Sequence, residues 1–203
     1  MTPPTAVTER SPRDRLLDAA DTLMHLHGYE AVGVAELCRL ADTRKGSFYH
    51  FFESKQTLAI EMLERSWQRT RDGILADTVA NPALDAIEAF TEYGNRLADR
   101  MQAQLDLDDV VPGCRFGNFA VELSTRDHEI RDHIAGIFDA MVEMTASMVR
   151  RSIDAGSLDP DTDAAAAARQ LIAIMEGRMV LAKAAADPDL LRELGADAER
   201  LLH

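Results

Sequence analysis

Lysine is almost missing from this chain: Lys45, Lys55 and Lys183 are the only three in 203 residues. Cysteine is equally scarce. Cys38 and Cys114 lie far apart in sequence, which excludes a disulfide framework and a metal-binding spacing. A reducing, cytoplasmic setting is the expectation. No apolar run reaches the roughly 18 residues that a membrane span needs, so no membrane partner is expected. Strand signals are nearly absent too. No phosphate loop or metal motif is present, and neither a metal nor a cofactor is expected. Residues 1–11 contain two prolines and no apolar stretch of the kind a secretory leader needs, so they read as a disordered arm.

Positive charge is also lacking overall. The net charge is −13, which at first argues against a nucleic-acid partner. Its distribution answers that objection. Residues 76–203 carry 12 Lys or Arg against 24 Asp or Glu, whereas residues 1–75 carry 10 against 11. The acid is concentrated in the C-terminal body, and the N-terminal head is nearly neutral. Hydrophobic residues make up 46% of the chain, enough to core one large or two small domains.

What is present reads as helix throughout. Ser11-Pro12 is a cap with proline at the first helical position, and the helix runs to Gly28. Val34, Leu37, Cys38 and Ala41 fall at helical spacing and form the apolar stripe of a second helix, 34–41. Asp42-Thr43 supplies turn chemistry, and a third helix spans 44–51. Arg44, Lys45, Ser47, Tyr49 and His50 can all bond phosphates or base edges. Phe48, Phe51 and Phe52 supply an apolar anchor. One bracing helix followed by one that presents polar side chains is how a helix-turn-helix addresses the major groove. Arg44 is the first candidate for a guanine contact, and Gly46 permits close backbone approach.

A fourth helix, 54–77, links head to body, with Leu58, Met62 and Leu63 inward. Further helices are expected over 82–104 after an Asn81-Pro82 cap, over 114–125, and from an Asp127 cap to Ala155. The last two are expected over 163–186 and from 188 to about 202. The expected organisation is a disordered arm (1–11), a helix-turn-helix domain (12–53) and a helical effector-binding and dimerisation domain (54–203).

The run Lys45-Gly46-Ser47-Phe48-Tyr49-His50-x-Phe52-x-Ser54-Lys55 resembles the TetR family of one-component repressors, and the likeness spans about residues 12–70. Two positions depart from the family pattern: Asp42 stands where a turn glycine is usual, and Gly33 where a Thr or Ser is usual. Asp tolerates the left-handed region and Gly is an acceptable cap. The resemblance implies an all-α homodimer on palindromic double-stranded operator DNA. By the resemblance Tyr49 and His50 clamp phosphates and Lys55 adds a contact, which with Arg44, Lys45, Gly46 and Ser47 completes the expected DNA interface. It also implies pairing of the helices near 163–186 and 188–202, where Leu171, Ile172, Met175, Met179 and Leu181 recur at helical spacing. The fourth helix is then the lever between effector and DNA.

In the body, aromatic and methionine side chains are dense. Phe90, Tyr93, Cys114, Phe119, Met144 and Met175 are the candidate lining of a pocket for a small hydrophobic or electrophilic effector. Cys114 follows Pro112-Gly113 at a helix start and precedes Arg115, a setting that lowers a thiol's pKa. With Lys183 it resembles a subgroup of these repressors that senses electrophiles or oxidants through a cysteine, so Cys114 and Lys183 are candidate redox-sensor residues. Glu122 and Glu176 lie within apolar stretches and could orient a ligand. Cys38 reads as core. The rival reading is an all-helical thiol enzyme using Cys114, for which no base is evident in the sequence. A regulator without enzymatic activity is the expectation.

Overall fold

The computed structural model describes residues 10–203; most of the expected arm, residues 1–9, lies outside them. The described residues form nine α-helices and no strand: α1 (Pro12–His27), α2 (Val34–Leu40), α3 (Lys45–Phe51), α4 (Lys55–Thr70), α5 (Ala86–Asp108), α6 (Arg115–Leu123), α7 (His128–Asp154), α8 (Ala164–Ala185) and α9 (Leu194–Leu202). A π-helical turn, Arg71–Leu75, continues α4, and a 3-10 segment, Pro188–Glu193, precedes α9. None of the described helices is long and apolar enough to cross a membrane.

The chain divides into two compact units between Glu64 and Arg65, inside α4 and later than the boundary at 53/54 read from the sequence. The first half of α4 belongs with the head because its side chains tie it there. Leu58, Met62 and Leu63 are buried, and the Arg13 guanidinium pairs with the Glu61 carboxylate.

In the head, α1 packs on α2 and α3. Ser11 caps α1 by accepting the Asp14 N–H at 3.1 Å. Leu16, Leu17, Ala20, Leu23 and Met24 form the buried stripe read from the sequence. In the body, α7 packs on α8, while α5 packs on the 3-10 segment and α9. Close approach of α9 to α5 depends on the missing side chain of Gly195: a Cβ there would lie 2.0 Å from Thr91 Oγ1.

Two boundaries differ from expectation. Helix α5 begins at Ala86, not near Pro82, because Asp85 and Glu88 form a capping box: Asp85 accepts the Ile87 and Glu88 N–H groups and Glu88 accepts that of Asp85. Asn81 serves only a local turn, accepting the Ala83 N–H. The final segment is split, with Asp187 capping the 3-10 turn and α9 following from Leu194.

Candidate nucleic-acid interface and the Cys114 site

The reading head is built around two buried rings. Phe48 and Phe52 are almost wholly buried, with centroids 5.9 Å apart, and they fix α3 from beneath. This leaves Arg44, Lys45, Gly46, Tyr49 and His50 exposed, with Ser47 half-buried. Tyr49 stands 54% exposed, which no packing requirement of the head explains. Its ring packs edge-on against Phe48 at 5.2 Å, so the hydroxyl is held outward by a rigid aromatic stem.

The turn before α3 is a helix-termination motif. Ala41 is the C-cap of α2, Asp42 adopts φ 47°, and the Thr43 N–H reaches back to Cys38 O at 2.9 Å. Asp42 therefore occupies a left-handed position, which Asp tolerates better than most residues. Gly33 caps α2 without a side-chain bond.

Arg15 holds this turn, a role that no local sequence signal marks. From α1, its Nε donates to Ala41 O at 2.8 Å, its Nη2 to Asp42 O at 3.1 Å and its Nη1 to Arg10 O at 3.1 Å. A guanidinium fork spanning two successive carbonyls fixes the angle at which α3 leaves α2. Only the i+26 and i+27 contacts of the folded chain reveal it.

Lys55 is placed differently from its expected phosphate contact. Its ammonium donates to Tyr29 O at 3.0 Å and Val32 O at 3.2 Å, and sits 4.0 Å from the Tyr29 ring centroid. Two of its three donors are committed within the head, so here it braces the start of α4 against the α1–α2 loop.

In the body, Phe90, Tyr93, Phe119 and Met175 are buried, and Met144 and Cys114 are half-buried. Phe90 and Tyr93 meet edge-to-face at 6.1 Å. A groove of about 440 Å³ runs along α5, lined by Asp77, Leu84, Ile87, Glu88 and Arg96 among others, and takes in none of the six candidate pocket residues.

The expectation of an acidified Cys114 thiol is overturned. Cys114 does cap α6, its Sγ accepting the Gly117 N–H at 3.4 Å, and that contact favours the thiolate. Two stronger effects oppose it. Burial pushes the thiol's pKa well above its ordinary value, and the Glu176 carboxyl beside it pushes the same way. Glu176 approaches because residue 117 is glycine: a Cβ there would lie 2.3 Å from Glu176 Oε2 and 3.4 Å from Cys114 Cβ. Burial raises the Glu176 pKa as well, its contact with Cys114 acting in the opposite sense. The Tyr93 hydroxyl is raised by burial, with Cys114 and Glu176 adding to the effect and Arg100 opposing it. Lys183 packs its stem against Gly113 and donates to Asn118 Oδ1 at 3.2 Å. The structure thus gathers Tyr93, Cys114 and Glu176 together, with Lys183 on the residue next to Cys114.

Among the described residues there is no group of three or more His, Cys, Asp or Glu side chains placed to hold a metal ion.

Residues 16–62 match the family described as bacterial regulatory proteins, tetR family, and residues 95–196 match the tetracyclin repressor-like C-terminal domain. The chain belongs to the TetR family of transcriptional repressors. It is a DNA-binding regulator whose head is the family's helix-turn-helix domain. Over 167 residues it is 29% identical to the transcriptional regulator AcuR of Cereibacter sphaeroides, covering 81% of this chain and 73% of that one. Over 178 residues it is 27% identical to the repressor DhaR of a Mycobacterium species, covering 86% and 84%. Similarity to the repressor NemR of Escherichia coli is 40% over 60 residues, 30% of each chain. Two solved structures share the fold. A TetR regulatory protein from Rhodobacter sphaeroides gives a TM-score of 0.81 at 23% identity over 95% of this chain and 99% of that one. Reduced NemR of E. coli gives 0.80 at 20% over 95% and 98%.

Proposed function

We propose that this protein represses transcription as a homodimer on a palindromic operator, and lets go when a small hydrophobic electrophile reaches Cys114. The observation that carries the DNA-binding part is the outward display of Arg44, Lys45, Tyr49 and His50 over the buried Phe48 and Phe52. Arg44 reads a base edge, while Lys45, Ser47, Tyr49 and His50 hold phosphates and Gly46 admits the backbone. Lys55 sets the posture of the head. Two heads then address half-sites about 34–36 Å apart or a multiple of that.

The dimer reading rests on α8. Leu171, Ile172, Met175 and Met179 turn into the protomer's own core. The opposite face offers Ala173, Gly177, Val180, Leu181 and Ala184, with Val180 64% and Leu181 56% exposed. A small-residue apolar face on a helix of 22 residues fits a second copy of itself.

The effector part rests on Cys114 at the start of α6, with Lys183 against its neighbour Gly113. To release DNA, the effector must stabilise the DNA-incompetent conformer more than the competent one. The test is titration of a labelled duplex from the region upstream of the protein's own coding sequence, with and without N-ethylmaleimide. Two protomers per site, and weakened binding after modification in wild type but not in Cys114→Ser, are expected. Unchanged affinity of modified wild-type protein sinks the thiol response.

A further inference from the structure

We infer that Glu176 is the proton acceptor for Cys114, so that the two act as a dyad when the thiol adds to an electron-poor alkene. This inference rests on the thiol-responsive reading above. Its basis is contact geometry. Cys114 caps α6 and Glu176 comes from α8, and both close on the one face of α6 that lacks a side chain, at Gly117. Glu176 Oε1 is buried and has no hydrogen-bond partner, so a carboxyl oxygen stands with unused acceptor capacity beside a thiol. An orphaned buried acceptor costs stability, so its presence in a folded protein calls for a role, and a neighbouring thiol proton supplies one.

The chemistry follows from burial. A thiolate alone in this setting adds negative charge beside a carboxylate, which is why the thiol is held protonated. Moving the proton from Sγ to Glu176 keeps the charge of the pair constant. The raised carboxyl pKa makes Glu176 a better base toward a thiol than an exposed glutamate would be. As the Sγ–C bond forms at the β-carbon of an α,β-unsaturated carbonyl compound, the alkene electron pair moves onto the carbonyl oxygen and the thiol proton moves to Glu176. Glu176 then returns that proton to the α-carbon. The product is a thioether, the carboxylate is restored, and no oxidant or reductant is consumed. Among the charged or titratable groups near the pair, Tyr93 on α5 feels both Cys114 and Glu176 and is opposed by Arg100, Arg115 follows Cys114 in sequence, and Lys183 on α8 lies against Gly113.

The experiment is the pH dependence of Cys114 alkylation by N-ethylmaleimide, followed by mass spectrometry of the full-length protein and its peptides. Wild type is expected to show a plateau between the ionisation of Glu176 and that of the thiol. Glu176→Gln is expected to lose the plateau and rise about tenfold per pH unit below the thiol's ionisation, as a lone thiol does. Gly117→Ala keeps both groups but fills the space that Glu176 Oε2 occupies, and is expected to lose the plateau too. Thermal melts establish that each variant is folded.

A wild-type profile without a plateau, or a plateau that survives in Glu176→Gln, overturns the dyad. So does a Glu176→Gln protein that reacts faster at every pH with unchanged slope, since the carboxylate would then only restrain the thiol. DNA titration of the same samples separates this inference from the reading beneath it. Alkylation that releases DNA without a plateau defeats the dyad alone. Alkylation with a plateau but no release defeats only the thiol response. Failure of Cys114 to react defeats both.

Discussion

Replacing Arg15 with alanine should both weaken the head and blunt its grip on DNA. The side chain makes three bonds to backbone carbonyls, of which the one to Ala41 O is part-buried and those to Arg10 O and Asp42 O are exposed. A hydrogen bond from a charged donor is worth about 1.5–3 kcal/mol net. The exposed carbonyls regain water after the substitution, so the part-buried bond dominates and the expected loss is about 2 kcal/mol. Arg15→Lys keeps the charge but cannot fork between the carbonyls of residues 41 and 42, and should recover less than half of the loss. Urea denaturation measures the stability, and hydrogen exchange at Thr43–Ser47 localises it to the turn. Affinity for operator DNA should fall with it, because the α2–α3 angle is no longer held. A loss for Arg15→Ala within about 0.5 kcal/mol, the size of an ordinary surface change, would refute this account of the turn.

Asp42→Gly should stabilise the protein by about 0.5–1 kcal/mol in the same urea assay, since relief of the left-handed backbone outweighs the added freedom of the unfolded chain. Arg178 binds Asp197 in a two-pronged pair at 2.7 and 3.0 Å and also reaches Glu193, tying α8 to α9. The Arg178 hydrogen bond, with help from Arg200, holds the Asp197 carboxyl below its ordinary 3.8. A depressed folded pKa means that the pair's contribution is complete above about pH 3.8 and is lost as pH falls through the folded value. Arg178→Ala should therefore be less stable than wild type at neutral pH, and the gap in denaturation midpoint should close in acid below that point. Val180→Asp, on the exposed face of α8, should shift the protein from dimer to monomer in sedimentation velocity without unfolding it; a dimer that persists argues for another interface.

The head was legible because its signals are local. Ser11-Pro12, the 34/37/38/41 stripe and the Phe48–Phe52 anchor each act within a turn or two of helix; Ser11 caps α1, Leu37, Cys38, Ala41, Phe48 and Phe52 are buried, and Val34 is half-buried. Asp42 in the left-handed position follows from the same short-range logic. The start of α5 was misplaced because Asn81-Pro82 and Asp85-x-x-Glu88 both signal a helix start, and the second makes more hydrogen bonds. The Cys114 environment was misread for a different reason. Its immediate neighbours, a helix start and Arg115, argue for an acidic thiol, but the deciding group is Glu176, brought in by packing through Gly117. Arg15 was invisible on the same grounds, since nothing near it in sequence marks it as a clamp for residues 41 and 42. Groups whose role is set by partners more than a helix away are what periodicity cannot reach.

The central claim is that the exposed face of α3 grips duplex DNA. Mobility-shift titration of wild type, Lys45→Ala and Tyr49→Ala against the protein's own upstream region tests it most directly. The account predicts a discrete complex for wild type that is lost or strongly weakened in both variants, each of which remains folded because both side chains are solvent-exposed. A wild-type protein that shifts no fragment, or variants that bind as wild type does, would contradict it.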